Sequence, residues 1–272
     1  MKNLFILISF FLLILSCEEE KENPRYDVII RNGNIIDGTN SSAFKGDIGI
    51  NADSIAFIGD LTDATAEKDI DASGLTVAPG FINMLSWAVS TLIEDGKSQS
   101  DIRQGVTLEV FGEGWSMGPL NEKMKESGFF LNGDIEYDVE WNTLGEYLEF
   151  LENKGISTNV ASFVGATTAR IYTVGYENRP PTEVELDSMR MLVREAMEEG
   201  AMGVGSSLIY APAFYSSTEE LIELAKVASE YDGMYISHMR SEGNNILGSI
   251  DELIRIADEA DIRAEIYHLK MG

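Results

Sequence analysis

Residues 217–240, STEELIELAKVASEYDGMYISHMR, contain the helix-and-strand unit that decides the fold. Ser217 and Thr218 stand before acidic residues, as helix starts prefer, and Gly233 ends the helical pattern. Apolar residues between them recur three and four positions apart, which is typical of one buried helical face. The apolar run MYISHM then predicts a strand that ends near His238. The stretch therefore predicts an amphipathic helix that leads into a buried strand.

The same unit recurs along the chain from residue 79 onward. Further strands are predicted at GFINMLSW, GVTLEVFG, STNVASFVG, AMGVGSSL and AEIYHL, and further helices at TEVELDSMRMLVREAMEEG and SIDELIRIADEAD. Strands that alternate with helices predict an α/β fold with a parallel sheet, either a closed (β/α)₈ TIM barrel or an open, doubly wound sheet. A barrel needs about eight strands, so we expect an open sheet or a barrel truncated at Gly272. The end of the chain directly after a strand favours truncation.

A smaller β-domain is predicted before the barrel, over residues 26–78. YDVIIRNGNIIDG alternates around Asn32-Gly33, which predicts a hairpin turn there, and GDIGINADSIAFIG repeats the strand-turn-strand pattern. No helical period of useful length occurs in this segment. The expected domains are therefore a β-domain at 26–78 and an incomplete barrel domain at 79–272.

The amino terminus predicts export and lipid anchoring. Residues 4–15, LFILISFFLLIL, form an apolar run that is too short for an ordinary membrane-spanning helix and suits a secretory signal peptide. Ile14-Leu15-Ser16-Cys17 resembles the lipobox of bacterial lipoproteins, which implies a signal peptide at 1–16 and lipidation of Cys17. Residues 17–25 form an acidic tether. We expect a lipid-anchored protein of the bacterial cell envelope, either periplasmic or surface-exposed.

Charge excludes several partners. The formal net charge is −26, which disfavours nucleic acid and bare anionic membrane surfaces, so the membrane is expected to be a partner only through the lipid anchor. Cys17 is the single cysteine, so no internal disulfide can form and no other thiolate ligand is present. The oligomeric state stays open.

The chain contains two histidines, His238 and His268. Each ends a predicted strand, and one strand-and-helix unit separates them. Adjacent parallel strands lie roughly 5 Å apart, and barrel active sites form at the carboxyl ends of the strands. Two imidazoles at this face could share one metal ion at about 2.0–2.1 Å each. The alternative is two unrelated histidines that cap their strands, and the matching positions in consecutive units favour a shared site.

Several long segments resemble one known family. YDVIIRNGNIIDGT, APGFIN, RPPTEVELDSMRMLVREAMEEGAMGVGSSLIYAP, ISHMRSEG and YHLKMG are similar to the amidohydrolase superfamily, and most closely to the N-acyl-D-amino-acid deacylases, or D-aminoacylases. The resemblance implies a small β-sandwich, a barrel with one or two zinc ions, and hydrolysis of a non-peptide amide C–N bond that releases a D-amino acid and a carboxylate.

The resemblance also implies which residues bind the metal. His238 and His268 fall on the family's histidines of strands five and six. Its strand-one His-x-His falls on Leu85 and Trp87, neither of which can bind zinc. We therefore expect about one zinc ion per chain. The family's catalytic aspartate on strand eight falls beyond Gly272, so no catalytic residue is assigned.

A third metal ligand is expected in the loop FGEGW. The family's metal-binding cysteine falls near this loop, apparently at Gly114, and its Val-Gly-His after strand three reads as Val164-Gly165-Ala166. Glu113 is the candidate ligand because a carboxylate binds zinc at about 2.0–2.2 Å and its flanking glycines permit close backbone approach. The alternative is an ordinary loop glutamate.

Substrate contacts are expected from cations next to the histidines. Lys270 and Arg240 each lie two residues after a histidine and so leave the strand on the same side. They suit a substrate carboxylate, as the lysine does in similar deacylases, or they form salt bridges with Glu242 or another nearby carboxylate. Tyr210 is a further candidate for the pocket wall.

Three other functions remain open. The losses at Leu85, Trp87, Gly114 and Ala166 allow a non-catalytic, ligand-binding barrel at the cell envelope. The same fold also hosts cyclic-amide hydrolases, and a fold does not choose among substrates. A purely structural surface lipoprotein is the third.

Overall fold

The computed structural model describes residues 23–128 and 135–270. The predicted signal peptide, Cys17 and most of the acidic tether lie outside the described residues. Within them, no helix combines the length and the apolar character needed to cross a bilayer. The chain divides into two compact units between Pro79 and Gly80, and each is described by itself.

The described part of the first unit, residues 23–79, is a five-stranded mixed sheet. Its strands are β1 (Arg25–Ile35), β2 (Phe44–Asn51), β3 (Ser54–Gly59), β4 (Thr65–Asp71) and β5 (Thr76–Val77). The order is β3-β2-β1-β4, and β5 pairs with the far end of β1. The predicted hairpin of β2 and β3 is confirmed as an antiparallel pair. Ile29, Leu61 and Ala64 form the small buried core. A β-sandwich stays a prediction.

The predicted turn at Asn32-Gly33 is wrong. Strand β1 runs straight through these residues, and its pairing with β2 shifts register between Ile30 and Gly33. Asn32 adopts a left-handed conformation, with φ of 61°, so one extra residue is absorbed as a bulge. Asn-Gly supplies the same left-handed geometry to a bulge as to a hairpin turn, and the sequence pattern alone does not separate the two.

The second unit is α/β, as predicted, with parallel strands. In residues 80–128 and 135–270 these are β6 (Phe81–Asn83), β7 (Val106–Phe111), β8 (Asn159–Ser162), β9 (Val164–Gly165), β10 (Gly203–Ser207), β11 (Met234–His238) and β12 (Arg263–Ile266). The predicted third strand is divided into β8, which pairs with β7, and β9, which pairs with β10. Strands therefore follow one another in chain order around the described sheets. Closure into eight strands stays a prediction.

Eight α-helices accompany the described strands of this unit. They are α1 (Thr91–Glu94), α2 (Gln99–Ile102), α3 (Glu122–Ser127), α4 (Leu144–Lys154), α5 (Ala166–Thr173), α6 (Glu183–Glu198), α7 (Thr218–Ser229) and α8 (Ile246–Ala260), with a short 3₁₀ helix at Ala213–Tyr215. The three helices predicted from periodicity are confirmed as α6, α7 and α8.

Local signals fix where these helices begin. Thr182 and Glu185 form a reciprocal capping box at the start of α6. The side chain of Ser217 accepts a hydrogen bond from the backbone N–H of Glu220 at the start of α7. Leu221 and Leu224 on the inner face of α7 are fully buried, and each contributes roughly 1.5–3 kcal/mol by removal from water. Burial of this face holds α7 against β10 and β11, and β11 ends at His238.

Candidate metal centre

The loop after β7 carries Glu113 between two glycines in conformations that side chains rarely adopt. Gly112 has φ of 101° and Gly114 has φ of 79°. A Cβ at position 114 would stand 2.6 Å from Cβ of Ser207, and one at position 112 would overlap the backbone of Phe163. The glycines therefore let the loop lie flat on the neighbouring strands while the side chain of Glu113 points away from them.

The start of α5 fastens this loop. The N–H of Thr167 donates to the carbonyl of Gly114 over 3.0 Å. The N–H of Ser116 donates to Oγ1 of Thr168 over 2.8 Å, and the hydroxyl of Ser116 accepts from the N–H of Gly165 over 2.9 Å. Because all three contacts are to the loop itself, the position of Glu113 depends on the start of α5 and not on β7 alone.

The two histidines lie on neighbouring strands, as predicted. Parallel β11 and β12 pair with Ser237 opposite Ile266, so His238 ends one strand and His268 follows the other by two residues. His238 is buried and His268 is partly exposed. Their ring centroids lie 4.4 Å apart at an interplanar angle of 83°. One edge of each imidazole ring can therefore point to the same position.

Glu113 joins the two histidines into one cluster. Its Oε1 lies 3.0 Å from Nδ1 of His238 and 2.8 Å from Nε2 of His268. One ligand atom from each of the three residues lies within 4.8 Å of the others. Tetrahedral zinc with ligands at about 2.1 Å holds those ligands about 3.4 Å apart. Two nitrogens and one carboxylate oxygen are a donor set that zinc accepts, and an opening of about 0.5 Å would admit the ion.

A second carboxylate faces the other edge of the histidine pair. Oε1 of Glu242 lies 3.1 Å from Nδ1 of His268, 3.6 Å from Nε2 of His238 and 2.7 Å from Nζ of Lys270. The hydrogen bond from Lys270 is the main reason that the pKa of Glu242 is lowered. Nε2 of His238 is buried and has no hydrogen-bond partner among the described residues. Glu242 is placed to orient His268, as carboxylates do behind metal-bound histidines.

Tyr267 adds a buried hydroxyl next to this cluster. Burial, followed by the charge of Glu113, raises the pKa of Tyr267 well above its usual range, so the phenol stays protonated. Its hydroxyl has no hydrogen-bond partner among the described residues. An unpaired buried hydroxyl is costly, and the ring of Tyr267 lies near the candidate ligands, with its centroid 6.2 Å from that of His268.

Leu85 and Trp87 stand where the family's strand-one histidines were expected. Leu85 packs against the buried cluster that includes Val110 and Phe163. The indole N–H of Trp87 donates to Oε2 of Glu113 over 3.1 Å. Neither residue can bind zinc, as their residue types indicated, and this hydrogen bond could not be predicted because spacing offers no signal for it.

Gly114 and Ala166 stand at the other two positions, where the family's pattern has a cysteine and a histidine. Gly114 has no room for a side chain, so a ligand cannot project from that position. Ala166 is the buried first residue of α5. Of the residues in the loop, Glu113 reaches both histidines. Its role as a metal ligand stays a prediction that this geometry supports.

The three residues expected to contact substrate differ in their surroundings. Lys270 is half-exposed and bonded to Glu242, the salt bridge foreseen as its alternative. The guanidinium of Arg240 binds Glu252 over 2.8 Å and donates to the carbonyls of Phe214 and Ser216. The exposed ring of Tyr210 lies edge-on to His238, with centroids 5.3 Å apart. The structure brings Lys270 and Tyr210 to the cluster and directs the donors of Arg240 elsewhere; all three roles stay predictions.

The chain is similar to D-aminoacylase in both sequence and structure. No family model matches the chain. D-aminoacylase from Alcaligenes xylosoxydans xylosoxydans is 35% identical over 253 residues, which cover 93% of this chain and 52% of that protein. The crystal structure of D-aminoacylase, described as defining a subset of amidohydrolases, aligns with a TM-score of 0.77 and 32% identity over 89% of this chain and 51% of that one. Another D-aminoacylase structure concerns its binuclear metal centre, with one-metal activation and second-metal attenuation.

A deacylase of solved structure carries a metal and an inhibitor. N-acyl-D-glutamate deacylase from Bordetella bronchiseptica, complexed with zinc and a phosphonate inhibitor, aligns with a TM-score of 0.78 and 28% identity over 88% of this chain and 50% of that one. By fold and site, the chain is therefore of the amidohydrolase type. More particularly, it is a homologue of D-aminoacylase and of the N-acyl-D-amino-acid deacylases, and it spans about half the length of these relatives.

Proposed function

We propose that this protein is a one-metal hydrolase that cleaves the amide bond of N-acyl-D-amino acids, releasing a D-amino acid and a carboxylate. The observation that carries the proposal is the cluster of Glu113, His238 and His268 at the carboxyl ends of parallel strands. The homology of the chain to D-aminoacylase supports the reaction class. We further propose that the parallel strands belong to a closed TIM barrel and that the first unit belongs to a β-sandwich, as the resemblance implies.

The metal would be zinc, about one per chain, held by these three residues. When bound, zinc polarises a scissile carbonyl and lowers the pKa of bound water towards about 7. Glu113 would present one oxygen to it, and Glu242 would keep the proton on Nδ1 of His268 so that Nε2 is free to bind. By resemblance an aspartate would transfer the proton, and none of the described residues is proposed for that role.

The substrate's carboxylate would bind near Lys270. Lys270 is half-exposed beside the cluster, so its ammonium can reach an anion without leaving Glu242 entirely. Tyr210 would form one wall of the same pocket, because its exposed ring already contacts His238. Arg240 would contribute to the pocket by supporting residues 214–216, whose carbonyls it binds. Attachment to the cell envelope through Cys17 remains part of the proposal.

Metal content tests the proposal directly. Protein expressed from its full reading frame without residues 1–16 should bind about one zinc by elemental analysis. After dialysis against metal-free buffer, His238→Ala, His268→Ala and Glu113→Ala should each retain little zinc because their affinity is weakened, whereas Glu122→Ala, which removes an exposed carboxylate on α3, should retain it. Zinc-loaded protein should then hydrolyse N-acetyl-D-amino acids and leave the L-enantiomers intact.

A non-catalytic, ligand-binding barrel is the second candidate. Leu85 and Trp87 favour it, because neither can hold a second metal ion. A well-folded protein that binds no zinc when zinc is supplied would favour this candidate and overturn the hydrolase. Zinc binding with hydrolysis of cyclic amides, and none of N-acyl-D-amino acids, would keep the metal site and change the substrate class.

A further inference from the structure

The indole of Trp87 reaches the oxygen of Glu113 that the histidines do not use. Oε1 of Glu113 lies between the two imidazoles, whereas Oε2 accepts the indole N–H over 3.1 Å. We propose that Trp87 is a positioning residue that fixes Glu113 as a one-oxygen ligand for a single divalent cation. This inference rests on the proposed metal site and adds a residue that cannot itself bind a metal.

The chemistry of the indole suits this role. A tryptophan N–H is a donor only and cannot coordinate a cation. A carboxylate that is not held can rotate and bind a cation through both oxygens or turn away from it. A hydrogen bond to Oε2 removes that freedom and leaves Oε1 facing His238 and His268. The Glu113 side chain is only 8% exposed, so water does not readily replace the indole.

The backbone around Trp87 is tied to the strand that leads to Glu113. The N–H of Ser86 donates to the carbonyl of Val110 over 2.9 Å, and its hydroxyl donates to the buried carboxylate of Glu109 over 2.7 Å. Glu109 also accepts from Ser98 and Thr158. The indole is therefore delivered from a fixed backbone, although half of the Trp87 side chain faces solvent.

Two measurements on the protein expressed from its full reading frame test the inference. The first uses metal-free protein labelled with ¹⁵N-tryptophan, in which Trp87→Phe identifies the Trp87 indole signal. Glu113→Ala should move that signal upfield, because a carboxylate acceptor is lost. The second measures the dissociation constant for zinc by competition with a chromophoric chelator. Trp87→Phe should bind zinc about 10- to 100-fold more weakly, as expected when a residue that orients a metal ligand is removed.

Two controls separate positioning from packing. Trp141→Phe removes the indole hydrogen bond to the carbonyl of Met117 in the buried core, and it should lower stability without changing zinc affinity. In the Glu113→Ala background, Trp87→Phe should weaken zinc binding no further, because its effect acts through Glu113.

The possible results distinguish this inference from the proposed function. An unmoved Trp87 signal in Glu113→Ala, or equal zinc affinity in Trp87→Phe and wild type, overturns the positioning role and leaves the metal site intact. The inference is also overturned if Trp87→Phe lowers zinc affinity as much in the Glu113→Ala background as it does in the wild type. Wild-type protein that binds no zinc overturns the proposed function, and the role of Trp87 falls with it.

Discussion

Gly165 tests how strictly the Glu113 loop depends on the packing of α5. Gly165 has ordinary extended dihedral angles, φ −76° and ψ 121°, so alanine is not strained there by its backbone. An added Cβ would nevertheless stand 2.5 Å from the carbonyl oxygen of Gly114 and 2.8 Å from Cα of Trp115. These are backbone atoms of the loop, so no flexible side chain can move aside. Gly165→Ala must therefore displace the loop itself.

The displacement sets the magnitude. Ordinary contact begins near 3.4 Å, so the oxygen 2.5 Å from the new Cβ must retreat by about 0.9 Å. Overpacking of this kind destabilises a protein by about 1–3 kcal/mol. Metal ligands tolerate shifts of only about 0.2 Å before the bond lengths leave their usual range. We therefore expect Gly165→Ala to weaken zinc binding by at least about tenfold, beyond its effect on stability.

A matched glycine variant isolates the loop displacement. Gly155, with φ of 78°, follows α4, and a Cβ there meets nothing within 4 Å. Gly155→Ala should cost about 1–2 kcal/mol through its left-handed backbone alone and leave zinc affinity unchanged. Urea unfolding of the metal-free proteins measures stability, and chelator competition measures affinity. Wild-type zinc affinity in Gly165→Ala would refute the argument that α5 positions Glu113.

Three further changes probe other charged groups. Glu220→Gln should destabilise the protein by about 3–5 kcal/mol in urea unfolding, because it leaves the buried guanidinium of Arg170 without the carboxylate that lies 2.6 Å away. The double variant Arg170→Met/Glu220→Leu should recover most of this stability. A loss below about 1 kcal/mol in Glu220→Gln would contradict the reasoning. The hydrogen bond from Arg179 lowers the pKa of Glu185 to about 2. The stability that Glu185 contributes should therefore be full above its ordinary pKa, near 4.5, and disappear as pH falls through 2. A ¹³C NMR titration of this carboxyl checks the prediction, and an ordinary pKa would contradict it. Lys270→Met should raise KM for an N-acyl-D-amino acid by roughly 10- to 100-fold, since a charge-assisted hydrogen bond contributes about 1.5–3 kcal/mol. The variant should bind zinc slightly more tightly, because the ammonium that donates to Nδ1 of His268 is gone. An unchanged KM would remove Lys270 from the substrate site.

The sequence predicted the parts of the site that follow from chain periodicity. His238 and His268 come together because parallel strands in chain order bring equivalent ends to one edge. The three long helices follow from apolar spacing and from capping residues such as Thr182. Glu113 was a candidate because its residue type suits zinc, although spacing alone could not show that it reaches both histidines.

Contacts between separate loops were beyond such reasoning. The hydrogen bond of Trp87 to Glu113 joins positions 26 residues apart, and no period relates them. Arg240 was expected to face a substrate or to pair with Glu242 or another nearby carboxylate, and it pairs with Glu252 on α8. Asn32-Gly33 produced a bulge because tertiary pairing with β2 continued past it. In each case a local pattern was compatible with several partners, and packing chose one.

The contacts of His268 connect metal binding to the freedom of Lys270. Nζ of Lys270 lies 3.0 Å from Nδ1 of His268, and an ammonium can only donate. That contact requires an unprotonated Nδ1 and places the ring proton on Nε2, directed at Oε1 of Glu113, 2.8 Å away. A cation on Nε2 requires the opposite tautomer, in which Nδ1–H donates to Glu242 over the present 3.1 Å. Loading the site would therefore break the contact of Lys270 with the ring and leave its ammonium held by Glu242 alone. The same event that fills the proposed metal site would then leave the ammonium of Lys270 with one partner fewer, beside the place proposed for a substrate carboxylate.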